Sequence, residues 1–187
     1  YCVQLRPMSG WAPGPPPSAP FAPDGSYTLQ GPPGTWSVLF TDCTGGGFYL
    51  PEFYADVPIR LESVPKNAGA TPVTLASGGI LSNVDAVLTR GGRVRGTGTD
   101  RTTGAPPANI RVAPEEGHEY LALTTTAPDG SFDLLGPAGS RPLFFHDCNN
   151  EQRHLDAYYP ETPDPSGAPA VAFVAGGITS GIQQRLS

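Results

Sequence analysis

The residues of this 187-residue chain best suited to chemistry are its three cysteines and three histidines, and their spacing limits what they can do. His146, Asp147 and Cys148 are consecutive, and His154 and Asp156 follow shortly. In extended chain, successive side chains alternate faces, so His146 and Cys148 share one. Such a pair is half a metal site, a thiol–imidazole couple, or simply the end of a strand. The spacing matches no zinc pattern, and neither an oxyanion donor nor an orienting group can be named beside it. The strand end is the stronger reading. His118, with Glu115, Glu116 and Glu119 around it, reads as a solvated loop rather than a ligand set. Phosphate-cradling glycine loops, a nucleophile elbow and an arguable carboxylate pair are all missing. The residues therefore predict no catalytic group, metal or cofactor.

Cys148 closes a stretch that occurs twice. Residues 22–43, APDGSYTLQGPPGTWSVLFTDC, return as 127–148, APDGSFDLLGPAGSRPLFFHDC, with 12 of 22 positions identical and no gap. The offset continues to Leu50/Leu155 and Tyr54/Tyr159, and after a length change residues 73–88 lie on 171–186. A repeat at fixed offset identifies the chain as copies of one module, here 1–90 and 91–187. Pro-Asp-Gly at 23–25 and 128–130 marks turns: Pro presets φ, Asp bonds the backbone ahead, and Gly supplies positive φ. An aspartate capping its own turn explains Asp24 and Asp129 more simply than calcium does. Tyr27 and Leu29 alternate before a Gly/Pro corner, and Trp36, Val38 and Phe40 alternate after it. That period of two predicts a hairpin of half-buried strands in each copy. Further strands are expected over 1–5, 73–76, 80–88, 92–99, 108–113, 119–125, 170–175 and 178–186. Residues 6–21 read as a Pro-rich loop and 44–72 as irregular. A helical period is nowhere sustained, so the class is all-β, with strands at the short spacing of sandwiches.

Composition narrows the functions. Gly 24 and Pro 23 fall between the apolar alternating runs and read as turns. A net charge of −6 with scattered arginines argues against nucleic acid. No apolar run is long enough for a membrane-spanning helix. Two aromatic clusters follow the repeats, Phe48, Tyr49, Phe53 and Tyr54 in the first and Tyr158 and Tyr159 in the second. Exposed in a row, and with Trp11 of the Pro-rich loop, these rings would stack on sugars. Turned inward, Tyr54 and Tyr159 would cap each core instead.

The ordered set Gly92-x-Val94-x-Gly96, Asp100-x-x-Thr103-Gly104-x-Pro106, Ile110-x-Val112, Pro128-Asp129-Gly130-Ser131-Phe132 and Leu135-Gly136-Pro137-Ala138-Gly139 resembles the carboxypeptidase regulatory-like domain. The closing AGGITSGIQQRL resembles it too. This family is similar to the transthyretin-like and Cna-B-like folds. The resemblance covers nearly all of 91–187, and 1–90 without its opening. It implies two tandem Greek-key β-sandwiches in a secreted or cell-surface bacterial protein, non-catalytic and structural or adhesive. Other domains of the same protein, or like subunits, would be its partners. A carbohydrate-binding accessory module, with polysaccharide as partner, is the alternative. In related extracellular modules a cysteine on the earlier strand bridges to one at the end of the repeat, which implies a Cys2–Cys43 disulfide. Cys148 then remains a free thiol, or bridges to another molecule, since Arg111 stands where its mate would be. The Lys–Asn isopeptide bond of some Cna-B-like domains is not expected. The second module has no lysine, and Lys66 of the first lies beside Asn67 in a loop.

The second module also opens with about 18 residues, 91–108, that have no counterpart before Tyr1. The resemblance makes them the opening strand. Without it, the first module would expose an edge beside 1–5 or 80–88. Either the natural chain extends upstream, as long arrays of the family suggest, or another subunit donates a strand and fibres form head to tail.

Overall fold

The structure, a computed structural model, describes residues 1–8, 14–59, 69–116, 119–120 and 123–187. The chain divides into two compact units, Tyr1–Thr89 and Arg90–Ser187. Both are built of strands, and no α-helix occurs among the described residues.

In the first unit β1 (Cys2–Pro7), β2 (Ser18–Pro20), β3 (Gly34–Thr41), β4 (Glu52–Phe53), β5 (Val57–Pro58) and β6 (Val73–Leu75) make one antiparallel sheet. Its order is β2-β1-β3-β4-β5, with β6 also on β3. Val3, Leu5, Trp36, Val38 and Phe40 form its buried core. The two short strands β4 and β5 lie inside the run expected to be irregular. Ala55 and Asp56 between them take positive φ, which makes the turn without a glycine.

The second unit contains β7 (Gly92–Asp100), β8 (Ile110–Glu116), β9 (Glu119–Tyr120), β10 (Thr124–Thr125), β11 (Ser131–Gly136), β12 (Gly139–Arg141), β13 (Leu143–Asp147), β14 (Ala157–Tyr158), β15 (Val171–Phe173) and β16 (Ile178–Leu186). One sheet runs β10-β8-β13-β14, a second runs β11-β7-β16, and β12 pairs with β15. Val94, Phe132, Leu134, Ile182 and Leu186 of the second sheet meet Ile110, Val112, Leu143 and Phe145 of the first in one core. Burying side chains of this size contributes about 1.5–3 kcal/mol each, before the entropic cost of ordering them.

The paired turns are alike in detail. In each copy the Gly N–H donates to the Ala carbonyl, Gly25 to Ala22 and Gly130 to Ala127, both at 2.9 Å. Asp24 accepts from the N–H and hydroxyl of Ser26, and Asp129 does the same from Ser131. Gly25 and Gly130 have φ of 85° and 76°, so a side chain would be strained at either.

Three expectations need correction. The Gly/Pro corner is not the tip of a hairpin: β11 pairs with β7, whereas β12 pairs with β15 and β13 with β8. Proline offers no N–H to bond back across the corner, and Gly139 at φ 134° turns the chain from the sheet of β11 into the pairing of β12 with β15. The closing segments 171–173 and 178–186 likewise join different partners, β12 and the parallel neighbour β7. Finally, 80–88, with Asn83 at φ 60°, belongs to no ladder among the described residues, and neither does 26–31. No open edge lies beside 1–5, because β1 is paired on both sides.

Candidate functional site

His146 and His154 of the second unit act on neighbouring carboxylates. Asp147, at the end of β13, has a side chain 2% exposed. Its Oδ1 accepts from the N–H and side-chain amide of Asn149, at 2.8 and 2.7 Å. Its Oδ2 accepts from the His154 N–H and lies 2.9 Å from His154 Nδ1. The other ring nitrogen, Nε2, is 3.1 Å from Asp100 Oδ2. Asp100 in turn caps its own turn, accepting from Thr102 and Thr103. Burial alone would raise the Asp147 pKa, but the hydrogen bonds from Asn149 and His154 outweigh it and hold it at about 2. Bonds from Thr103 foremost, then Thr102 and His154, bring Asp100 to about 2.

Both nitrogens of the His154 ring are therefore engaged, and the ring's work is to tie the β13 end to the β7 end. His146 Nδ1 meets Asp156 Oδ1 at 2.7 Å, and its ring lies along Phe144. Cys148 is a half-buried free thiol. No group of three or more metal-ligating side chains occurs among the described residues. The sequence offered no signal for the His154 bridge, because neither its partner Asp100 nor His154 itself belongs to the repeat. Asp147 does belong to it. Its counterpart Asp42 caps the following loop in the same way, accepting from Thr44 and Gly47.

Cys2 and Cys43 form a disulfide with Cα atoms 5.8 Å apart. It ties β1 to the residue after Asp42, in the sheet where Cys2 sits opposite Thr41. Of the aromatic residues, Phe53 and Tyr158 are buried, and Tyr54 and Tyr159 pack half-buried against the core of their own unit. Phe48 is half-buried; Tyr49 is exposed and meets Tyr1 edge-on, ring centres 5.2 Å apart. Trp11, Lys66, Asn67 and His118 lie outside the described residues. Tyr158 donates to Glu115.

The first unit also carries a groove. It measures about 950 Å³ and lies between 26–31 and 80–88, floored by Leu5, Trp36, Val38 and Leu75. Tyr27 and Leu29 line one wall and Val84 the other. The Tyr27 hydroxyl reaches across and donates to the Val84 carbonyl. Burial, then Asp85 and Tyr54, push the Tyr27 phenol up to about 12. The groove lining mixes the apolar side chains of its floor with polar ones, among them Thr28, Gln30, Ser82, Asn83 and Asp85. A shape of this kind suits the binding of an extended polypeptide rather than bond cleavage.

Elsewhere in the first unit, Glu52 is 7% exposed and its Oε1 has no hydrogen-bond partner. Burial, then the charge of Asp56, raises its pKa. Among the described residues no helix is long and apolar enough to cross a membrane. No family model matches the chain, and no curated protein or solved structure does either.

Proposed function

We propose that the chain is a pair of tandem Greek-key β-sandwich modules of the transthyretin-like kind, with a structural or adhesive, non-catalytic role in a secreted or cell-surface protein. The observation that carries this is what the repeat keeps. The polar residues common to both copies, Asp24/Asp129, Ser26/Ser131 and Asp42/Asp147, are spent on capping their own turns and loops. A repeat that preserves caps and core positions preserves a scaffold. The ordered glycine, proline and aspartate signals of the carboxypeptidase regulatory-like pattern agree with that reading, and so does the Cys2–Cys43 bridge, since disulfides persist in oxidising compartments. Assembly into an extracellular filament belongs to the same reading. For the carbohydrate-binding alternative, burial of Phe53 and Tyr158 removes two of the rings a sugar platform would use.

The natural protein tests the proposal by localisation with differential alkylation. Antibody against the chain should label intact cells or recover the protein from the medium, with Cys148 alkylated at once and Cys2 and Cys43 only after reduction. Recovery from the cytosol alone, with all three thiols reactive, would remove the secreted scaffold reading.

A further inference from the structure

A glutamate of the second unit sits in backbone that glutamate seldom adopts. The repeat offset that puts Tyr54 on Tyr159 puts Asp56 on Glu161, and both carboxylate residues take positive φ, 56° and 58°. Such a conformation persists where the surroundings fix it, and it gathers where side chains must be aimed. The fixing is visible at Glu161. Its N–H donates to Oε1 of Gln184 at 3.3 Å, and Gln184, 0% exposed, donates its amide to the Arg185 carbonyl. Tyr158 and Thr162 on either side exchange backbone hydrogen bonds. Backbone and a buried amide thus hold the turn, and the carboxylate is not needed for it. That carboxylate stands over the outer face of β7 and β16. There Thr97 and Thr99 lie opposite Gln183 and Arg185, on the side away from the core residues Val94, Ile182 and Leu186. With Glu161 these four line a concavity of about 350 Å³. Their grid measures roughly 7 Å by 5 Å, a footprint for one sugar ring. Arg185 Nε donates to Glu161 Oε1 at 2.6 Å, and Arg101 donates to Oε2. These bonds, those of Arg185 first, hold the Glu161 carboxyl below the ordinary glutamate range. Two guanidiniums on one carboxylate leave the cluster with one positive charge. The Arg101 and Arg185 side chains are half-exposed or more, and a guanidinium has five donors.

We propose that this concavity binds one acidic sugar unit of a polysaccharide, its carboxylate on Arg185 and Arg101 and its hydroxyls on Glu161, Gln183, Thr97 and Thr99. The mixture of groups selects that chemistry. A simple oxyanion would be drawn by the guanidiniums but repelled by Glu161. A neutral sugar would leave the surplus charge unused. An acidic sugar uses both: its one anion accepts from the guanidinium forks, and its hydroxyls donate to the carboxylate and the amide oxygen and accept from the amide and the threonines. No aromatic ring lines the concavity, so a single unit binds weakly, and a polymer gains by offering the unit many times over. The inference deepens the adhesive role proposed above, on which it rests for the meeting of chain and polysaccharide; the site itself rests on the geometry of Glu161.

The test titrates the full chain, labelled with nitrogen-15, with trigalacturonate and follows its amide and arginine resonances. Binding should saturate in the millimolar range, with the shifts centred on Thr97, Thr99, Glu161, Gln183 and Arg185. The same trimer with its carboxyls reduced to alcohols should bind more than about tenfold more weakly, and Arg185→Gln should weaken trigalacturonate as much. Thr99→Val, which leaves the ion pairs in place, should cost about threefold and serves if the arginine variant does not fold. Glu161→Gln separates an acidic-sugar site from a bare anion site. It should weaken trigalacturonate roughly fivefold while inorganic sulfate binds more tightly than to the wild type. The proposal is overturned if the trimer does not saturate the chain, if the shifts centre elsewhere, or if the reduced trimer binds equally well. It is overturned as well if Glu161→Gln strengthens trimer and sulfate alike, or if triglutamate matches the trimer, because an acidic peptide then suits the site. A chain recovered outside the cell that binds no trimer loses this site and keeps its scaffold role; a cytosolic chain that binds it loses the scaffold role and keeps the site.

Discussion

Tyr27 and Val84, 57 residues apart, are joined by a hydrogen bond from the phenol to the backbone carbonyl across the open groove of the first unit. In the second unit the residues at these places are Phe132 and Ile182, and β7 runs between them. The same repeat has thus closed its gap with a strand in one copy and with a single side-chain bond in the other.

That bond predicts alkaline behaviour. The Tyr27 phenol is raised from its ordinary 10 to about 12. An acid whose folded pKa is raised loses stability as its charged form is forced on it. The first unit should therefore be stable below pH 10 and weaken as pH climbs through 12, by roughly 2 kcal/mol at the limit. Absorbance titration should show a late step from Tyr27. Tyr27→Phe should abolish that late step and cost about 1 kcal/mol near neutrality. A late step that survives the substitution would place the raised phenol elsewhere.

The disulfide predicts a stability difference confined to one unit. Cys2 and Cys43 are separated by 41 residues, and closing a loop of that length restricts the unfolded chain by roughly 4 kcal/mol on the chain-entropy estimate. Cys2→Ser or a reductant should lower the melting temperature of the first unit and leave the second unchanged. Under mechanical extension, reduction should release about 140 Å of additional chain at ~3.5 Å per residue. Equal loss of stability in both units would contradict their division at Thr89/Arg90.

What the residues made legible was local. The Pro-Asp-Gly turns, the inward positions of β11, and the cap formed by Asp129 follow from spacing and side-chain chemistry inside a few residues, whereas β3, expected to be half-buried, is buried on both faces from Trp36 to Phe40. Sheet membership was not local. Residues 26–31 alternate as cleanly as 131–136 do, yet only the latter are a strand, because a strand exists through its neighbour and 26–31 has no ladder partner among the described residues. The Gly/Pro corner misled for the same reason: adjacency in sequence suggests pairing, but proline and positive-φ glycine direct the chain into another sheet. The tie between His154, Asp147 and Asp100 spans 54 residues between ring and Asp100 and has no motif to announce it.

Glu52 predicts a stabilising substitution. It is buried beside Asp56, and one of its carboxyl oxygens is unsatisfied. Because its pKa is raised, its ionisation opposes folding, and stability is lost as pH rises from the ordinary glutamate range through the folded value. Glu52→Gln removes the charge and keeps the shape. Chemical denaturation at pH 7 should show the first unit about 1 kcal/mol more stable, with no gain at pH 3, where the wild-type carboxyl is protonated. A loss at pH 7 would mean that the charge is compensated.

Asp147 predicts the opposite pH dependence in the second unit. Its pKa is depressed from 3.8 to about 2, so its contribution is complete above the unfolded value and disappears as pH falls through the folded one. Spread over that window, the shift is worth roughly 2 kcal/mol. The acid limb of a stability–pH curve for the second unit should therefore fall between pH 4 and pH 2. Asp147→Asn keeps an acceptor for the Asn149 N–H but sets an uncharged amide against His154. It should cost about 2 kcal/mol at pH 7, and the difference from wild type should shrink to near zero by pH 2. Asp100→Asn removes the other carboxylate from the ring and should shift the same limb, whereas His146→Gln, which touches Asp156 instead, should leave it in place. If the His146 variant moves the acid limb and the Asp147 variant does not, the brace of the second unit is the His146–Asp156 pair and not the bridge through His154.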